Sequence, residues 1–234
     1  MLAAALLSFT APNRLEAALE KASEALRAEP ILRIGYQFKY VPQEDEEGGQ
    51  VDYFLWKENA FARYEISRDS APMVKLVKNP PEVLAVAYLE KIYAVVEDRD
   101  MSQWRRAVPE GKLLPEPGNW LFMFTPEQKL VLRASPPLEV TEEKTEAWKG
   151  RTVEAIRFRS RRQATGEAVN GTARFDPSNH YLLGIDLKST ATPPGDYRVE
   201  KTSSDTETID RSFYKIDLTG LDGFKKVSGP EIDL

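Results

Sequence analysis

The sequence predicts a mainly β fold with few helices, built as a curved antiparallel sheet. Three observations support this prediction. Apolar residues alternate with a period of two along much of the chain, which is typical of half-buried strands. Turn-forming residues separate these runs, as at residues 176–179 (Asp-Pro-Ser-Asn), where Pro presets φ and Asp or Asn bonds its own backbone. Helical patterns occur only near the start of the chain and after Thr125.

The first predicted element is an amphipathic helix. Asn13 followed by Glu16 resembles an N-cap with a capping acid three residues later. Leu and Ala residues then recur at helical spacing as far as Leu26, and we expect the helix to end before Pro30. Its apolar stripe needs a surface to cover, most simply the face of a sheet.

A long strand follows, and one of its faces is aromatic. Leu32, Ile34, Tyr36, Phe38 and Tyr40 fall on one side, opposite polar residues such as Arg33 and Lys39. Further strands are predicted at residues 51–56, 61–66, 74–77, 83–89, 92–96, 104–108, 138–141, 145–148 and 151–159, and in three extended segments within 171–224. Together they predict an antiparallel meander of roughly ten strands.

The middle of the chain interrupts the strand pattern. Residues 109–137 hold six prolines and the apolar patch Trp120–Phe124. Thr125 as N-cap and Pro126 at the first helical position predict a short helix through Leu132. Consecutive large apolar residues in a loop bounded by Pro and Gly cannot all face one core, so the patch indicates a ligand groove or an interface.

Composition limits the possible functions. With 234 residues the chain is long enough for one sizeable domain, and 41% hydrophobic with 29% charged residues is ordinary for a globular fold. A net charge of −5 argues against a nucleic-acid partner. The one basic cluster, at residues 157–162, is balanced by acidic residues at 139–146. The chain has no Cys, which excludes disulfides, thiol catalysis and Cys-based metal sites.

No catalytic constellation is visible. The single histidine, His180, falls in the predicted turn, and we interpret it as an exposed turn residue because no nucleophile or second metal ligand accompanies it. The Asp and Glu residues lie mostly in turns and on polar strand faces, and no Gly-rich phosphate loop follows a strand. We therefore predict no enzymatic activity, no catalytic residue, no metal site and no cofactor.

Residues 1–12 contain a short apolar run followed by Thr-Ala-Pro. The run is similar to the apolar region of a secretory signal, without the basic residues that normally precede it. It is too short to span a bilayer, which needs about 20 residues. We predict a truncated signal peptide or an apolar tail at 1–12, and a single domain at 13–234.

Several motifs follow one another in an order known from one family. Residues 171–224 contain the patterns "fD…lL…D" and "id…F.f…G", and Gly150 opens a "G…y.l.l" strand. Residues 55–63 follow "l…kRPn.Fr", with Asn59 and Phe61 matching and Lys57-Glu58 standing where that pattern has Arg-Pro. Over about residues 13–224 this order resembles the LolA-like family, the periplasmic lipoprotein carriers and their relatives.

The resemblance implies an incomplete (half-open) β-barrel around an apolar cavity, covered by the N-terminal helix and a lid helix. It implies a monomeric periplasmic protein that shields acyl chains of lipoproteins or other lipids and can meet an inner- or outer-membrane partner protein. The candidate lipid-binding residues are Tyr36, Phe38, Trp56, Phe61, Trp120, Leu121, Phe122, Phe124 and Leu130. Which aromatics line the cavity depends on strand register, because a slip of one residue exchanges the two faces.

Two alternatives to a carrier stay open. In the family the Arg is linked to lid closure and cargo release, so the missing Arg-Pro pair favours an envelope sensor or partner-binding module on the same fold. The other alternative is a hydrolase that uses carboxylate chemistry.

Overall fold

The computed structural model describes residues 14–42, 48–97, 120–124, 130–134, 138–161, 168–190, 195–205, 210–229 and 232. These residues form one α-helix, α1 (Arg14–Ala28), a 3₁₀ helix (Arg211–Tyr214) and fourteen strands. The strands are β1 (Ile31–Pro42), β2 (Gly49–Glu58), β3 (Phe61–Arg68), β4 (Ala71–Asn79), β5 (Glu82–Ala87), β6 (Ile92–Glu97), β7 (Trp120–Phe124), β8 (Leu130–Ala134), β9 (Glu139–Trp148), β10 (Arg151–Arg161), β11 (Ala168–Phe175), β12 (Leu182–Ser189), β13 (Gly195–Asp205) and β14 (Lys225–Lys226).

Helix α1 confirms the first predicted element. Its buried residues include Leu15, Leu19, Ala22 and Leu26, so one stripe of the helix faces the protein interior. The helix ends at Ala28, before Pro30, as the sequence predicts. The predicted N-cap, residue 13, lies outside the described residues.

Twelve of the strands form one open sheet, in the order β14-β6-β5-β4-β3-β2-β1-β13-β12-β11-β10-β9. Strands β1 to β6 are neighbours in chain order, and strands β9 to β13 are neighbours in the reverse order. The two halves meet where β1 pairs antiparallel with β13, from Arg33 opposite Asp205 to Pro42 opposite Gly195. The strands β14 and β9 lie at opposite edges, so the predicted half-open barrel is a single curved sheet that does not close.

One predicted break in the sheet is wrong. The sequence predicts separate strands at residues 138–141 and 145–148, whereas β9 runs without interruption through this region. Its charged residues stay in the strand because they pair with β10, with Glu142 opposite Arg157 and Lys144 opposite Ala155. The predicted strand at residues 104–108 lies outside the described residues.

The predicted lid helix through Leu132 is also wrong in the part that the structure describes. Strands β7 and β8 form a separate antiparallel pair, with Phe122 opposite Leu132 and Phe124 opposite Leu130. Aromatic and β-branched residues favour extended backbone; β7 has three aromatic residues, and β8 has Val131 at its second position. The proposed helix start, at residues 125–127, lies outside the described residues.

The sheet has two faces with different covers. We call the face against α1 the inner face, and there the predicted row of Leu32, Ile34, Tyr36, Phe38 and Tyr40 is buried, as expected. This row belongs to one apolar cluster with α1, Leu132 of β8 and residues from both halves of the sheet. The helix and the β7–β8 pair therefore lie on the same side of the sheet as this cluster.

The opposite, outer face carries a second core over one half of the sheet. Val77, Leu84 and Val86 of β4 and β5 are buried there, together with Leu221. Ile216 and Phe224 pack against them. Residues 210–229 thus form a C-terminal cover for this half of the outer face.

The C-terminal cover also seals one edge of the sheet. Strand β14 pairs in parallel with β6, and the Lys225 N–H donates to the Lys91 carbonyl over 2.9 Å. Beyond it, Val227 packs against the inner cluster, and Ile232 is fully buried in that cluster. The chain therefore passes around the β6 edge from the outer to the inner face, where the sequence predicts an ordinary final strand.

Candidate functional site

The structure separates the predicted lipid-binding residues between the two faces. Tyr36 and Phe38 lie on the inner face and are almost completely buried. Trp56 and Phe61 lie on the outer face, because Leu55 of β2 and Tyr64 of β3 pair opposite each other and point inward. These four residues therefore do not share one face of the sheet.

The two outer-face aromatics belong to the C-terminal cover. The Trp56 ring meets the Phe213 ring edge-on, with centroids 5.2 Å apart, and Phe61 lies 5.9 Å from the Tyr214 ring. The Arg63 guanidinium stacks 4.1 Å from the Phe213 ring. These contacts give Trp56 and Phe61 a structural role.

The other five candidates lie on β7 and β8, and their side chains are outside the described part of the structure. They are Trp120, Leu121, Phe122, Phe124 and Leu130. Leu132 is described: it is 7% exposed and joins the inner cluster. The apolar patch thus pairs with a strand that contacts the inner face.

The inner face is aromatic over its central strands. Burial raises the pKa of the Tyr36, Tyr53 and Tyr64 hydroxyls, which keeps all three neutral at physiological pH. The Tyr36 hydroxyl donates to the Leu182 carbonyl over 2.9 Å. The Tyr53 hydroxyl is buried without a hydrogen-bond partner among the described residues. A buried hydroxyl without a hydrogen bond lowers the stability of the fold by about 1–3 kcal/mol. The Tyr53 hydroxyl is therefore a position on the inner face where a ligand could add a hydrogen bond.

Helix α1 is attached to the sheet differently at its two ends. At its C-terminal end the Lys57 ammonium donates to the Arg27 carbonyl over 2.7 Å and to the Glu29 carbonyl over 2.6 Å. Lys57 thus satisfies carbonyl groups that the helix leaves unpaired. At the N-terminal end Arg14 forms a 2.8 Å ion pair with Glu143 of β9, and the Arg14 side chain is 76% exposed. The N-terminal attachment is weaker because exposed ion pairs contribute little.

A cavity of about 210 Å³ opens beside the N-terminal half of α1. Its walls carry opposite charges: Arg14 and Lys21 come from the helix, and Glu143 and Glu154 come from β9 and β10. Its apolar lining includes Ile156 and Phe175, which belong to the inner cluster, and the remaining lining residues are Ala17, Ala18 and His180.

His180 is placed at this cavity by a tight turn. Its φ is 62°, and its N–H donates to the Asp176 carbonyl over 2.8 Å. The Asp176 carboxylate accepts from the Ser178 N–H and hydroxyl, which fixes the turn. His180 is exposed, as predicted, but no local pattern indicates that it lies near α1. The cavity residues escape sequence reasoning because Arg14 and Lys21 precede Glu154 and His180 by more than 130 positions.

Within the described ranges no group of three or more His, Cys, Asp or Glu side chains is placed to hold a metal ion. No helix in the same ranges combines the length and the apolar character needed to cross a membrane.

Comparisons with known proteins give similarities in structure only. No family model matches the sequence, and no curated protein matches it. A LolA superfamily protein from Nitrosomonas europaea is 9% identical with a TM-score of 0.36, over 86% of this chain and 97% of that one. The lipoprotein LppX from Mycobacterium tuberculosis is 11% identical with a TM-score of 0.36, over 86% and 99%.

MucB in the Pseudomonas aeruginosa MucA/MucB complex is 13% identical with a TM-score of 0.44, over 86% of this chain and 60% of that one. The solved structures that resemble this chain thus include a protein described as a member of the LolA superfamily. The identities are too low to transfer the role of any residue.

Proposed function

We propose that this chain is a non-enzymatic binding protein that holds an apolar ligand, the acyl chain of a lipid or lipoprotein, between α1 and the inner face. The observation that supports it best is the mismatch between the inner face and its cover. Twelve strands spaced about 4.8 Å apart make a sheet roughly 50 Å wide when flattened. The described cover is a helix of 15 residues, about 22 Å long and about 10 Å across, together with the two five-residue strands β7 and β8. Curvature of the sheet reduces the difference between the width of the sheet and the size of its cover. An acyl chain would occupy part of the inner face that the cover leaves free.

The chemistry of the inner face suits such a ligand. Its aromatic hydroxyls are neutral, and α1 presents small residues, Ala18, Ala22 and Ala25, toward the cluster. Each methylene that leaves water would contribute roughly 0.8 kcal/mol, so a long chain needs no charged partner. The Tyr53 hydroxyl is available for a carbonyl of the ligand.

The attachment of α1 favours entry at one end of the helix. The exposed Arg14–Glu143 pair would open readily, while Lys57 holds the C-terminal end. Lys57 stands where the LolA-like pattern has Arg. Although the Arg-Pro pair is replaced by Lys57-Glu58, this position still holds a cation, and that cation contacts the helix. We propose that α1 swings about its C-terminal end when the ligand enters or leaves.

The family resemblance and the apolar run at residues 1–12 favour a periplasmic carrier. In this proposal residues 13–234 form one domain that acts as a monomer and passes its ligand to an envelope partner.

A titration of the delipidated full chain with a fluorescent fatty acid tests the proposal. We expect saturable binding by the native chain. Ala25→Trp should weaken it at least tenfold, because an indole at this position would fill space between α1 and the sheet. Glu24→Trp, on the exposed side of the same helix turn, is the matched control and should bind like the native chain.

Mass spectrometry of the solvent extract of the purified protein provides a second measurement, and thermal melting shows whether Ala25→Trp is folded. An extract without lipid, combined with no saturable binding by the folded native chain, would overturn the proposal.

A protein-binding module on the same fold is the second candidate. Strand β9 favours it, because among the described strands β9 pairs only with β10 and leaves a ten-residue edge for an added strand. Capture of an envelope membrane protein by the native chain, with no transfer of lipid to an acceptor, would favour this role over the carrier role.

A further inference from the structure

The charged cavity beside α1 is too small for an acyl chain. Its volume of about 210 Å³ lies below the roughly 300–1,000 Å³ of sites for drug-sized ligands. A small polar group fits it better. Resting on the proposed function, we infer that this cavity binds a zwitterionic headgroup that carries a phosphodiester and a primary amine, as in an ethanolamine phospholipid.

The arrangement of charge supports a zwitterion over a simple anion or cation. Cations line the helix side and carboxylates line the strand side, so a ligand with separated charges can satisfy both walls at once. Lys21 and Glu154 face this cavity without an ion-pair partner among the described residues. A phosphate against the helix side would pair with Lys21, and an ammonium on the strand side would pair with Glu154.

Two further groups provide hydrogen bonds for the phosphate. Arg14 uses one guanidinium nitrogen for Glu143, and the rest of its five N–H donors stay available. The His180 imidazole, held at the cavity by the Asp176 turn, has no partner among the described residues. A planar cation beside an imidazole is a suitable donor set for a phosphodiester oxygen.

The apolar floor connects the cavity to the proposed acyl site. Ile156 and Phe175 line the cavity, Ala18 packs beside them, and all three contact the same cluster as Tyr36 and Phe38. A lipid could therefore place its headgroup between α1 and the β10–β11 pair while its chain runs along the inner face.

His180 gives a direct readout, because it is the single histidine of the chain. The imidazole proton shifts of the delipidated full chain would be followed by NMR during titration with glycerophosphoethanolamine and, separately, with glycerophosphoglycerol, which lacks the amine. We expect a saturable shift with both compounds and an affinity roughly 1.5- to 5-fold higher for the ethanolamine compound, the range for one added charge contact at an exposed site.

Two variants separate the walls of the cavity. Glu154→Gln should abolish the preference for ethanolamine, whereas Lys21→Gln should weaken both compounds by a similar factor. Lys39→Gln and Glu82→Gln, exposed on β1 and β5, are the matched controls and should leave both affinities unchanged. No shift of His180, or an equal affinity for the two compounds, would overturn the inference.

A second titration identifies the source of the headgroup. Dihexanoyl phosphatidylethanolamine, kept below its micelle concentration, should bind more tightly than glycerophosphoethanolamine if the ligand is a lipid. Equal affinity would overturn the lipid assignment. Fatty-acid binding without any His180 shift would refute this inference alone, whereas a His180 shift without fatty-acid binding would refute the proposed function.

Discussion

The two halves of the outer face differ in how they meet their surroundings: one is apolar and covered, and the other carries paired charges. Over β4 and β5 the face is apolar and is covered by residues 210–229. Over β9 to β13 it faces water and carries rows of ion pairs, including Arg159 with Glu139, Arg157 with Glu142, and Arg174 with both Glu146 and Asp186. The basic and acidic clusters in the sequence are thus cross-strand partners. The comparison teaches that one sheet can combine a half stabilised by burial with a half kept soluble by paired charge.

The largest difference between the halves should come from truncating the covered core. Leu84 is fully buried between β5 and the C-terminal cover, so Leu84→Ala should lower the free energy of unfolding by about 2–5 kcal/mol. Urea unfolding measures this loss. The same substitution at Leu218, which is 45% exposed, is the matched control and should have little effect. A loss at Leu84 as small as the loss at Leu218 would show that residues 210–229 do not stabilise this half.

The covered half should also contribute to the loss of stability at alkaline pH. Burial, and secondarily the nearby Glu58 carboxylate, raises the pKa of Tyr214 to about 12. In the unfolded chain the Tyr214 hydroxyl has a pKa of about 10. Its contribution to the free energy of unfolding is therefore complete below pH 10 and is lost as the pH rises toward 12.

In that window the free energy of unfolding should fall by at most about 1.4 kcal/mol per pH unit for this residue. Tyr214→Phe should remove that part of the slope in urea titrations between pH 9 and 12. An unchanged slope would show that Tyr214 is not buried by the cover.

The smallest effect should come from the charged half. Arg159 pairs with Glu139 in water, and its hydrogen bond followed by its charge lowers the pKa of that carboxyl. Arg159→Ala should cost less than either change above, and the loss should vanish in 1 M salt.

The contribution of this pair should be present above the ordinary Glu pKa of 4.5 and disappear as the pH falls through the lowered value. Urea unfolding at low and high salt checks the salt dependence, and urea unfolding above and below the ordinary Glu pKa checks the pH dependence. A loss at Arg159 that persists in high salt would contradict the contrast between the halves.

Local patterns were enough to predict much of the sheet. The alternation around Tyr36 and Phe38 correctly predicts which side of β1 is buried, and the spacing from Leu15 to Leu26 correctly predicts α1. These signals are reliable because each depends only on neighbouring residues.

The parts that sequence reasoning missed depend on distant contacts. The sequence predicts that Trp56 and Phe61 line the cavity, and only the contacts of their rings with the C-terminal cover show that they face outward. The charged cavity likewise needs α1 and β10 to be brought together by the β1–β13 junction. No pattern within a short window contains that information.

The passage of the chain around the β6 edge has a consequence for protein synthesis. Strand β14 is synthesised long after β6, the strand that it pairs with. The β6 edge of a nascent chain is therefore unpaired for most of translation. An unpaired edge can recruit a strand from a neighbouring chain. Premature termination before Lys225 would therefore be expected to yield aggregates, and a chaperone that occupies this edge would be useful from the synthesis of β6 until the synthesis of β14.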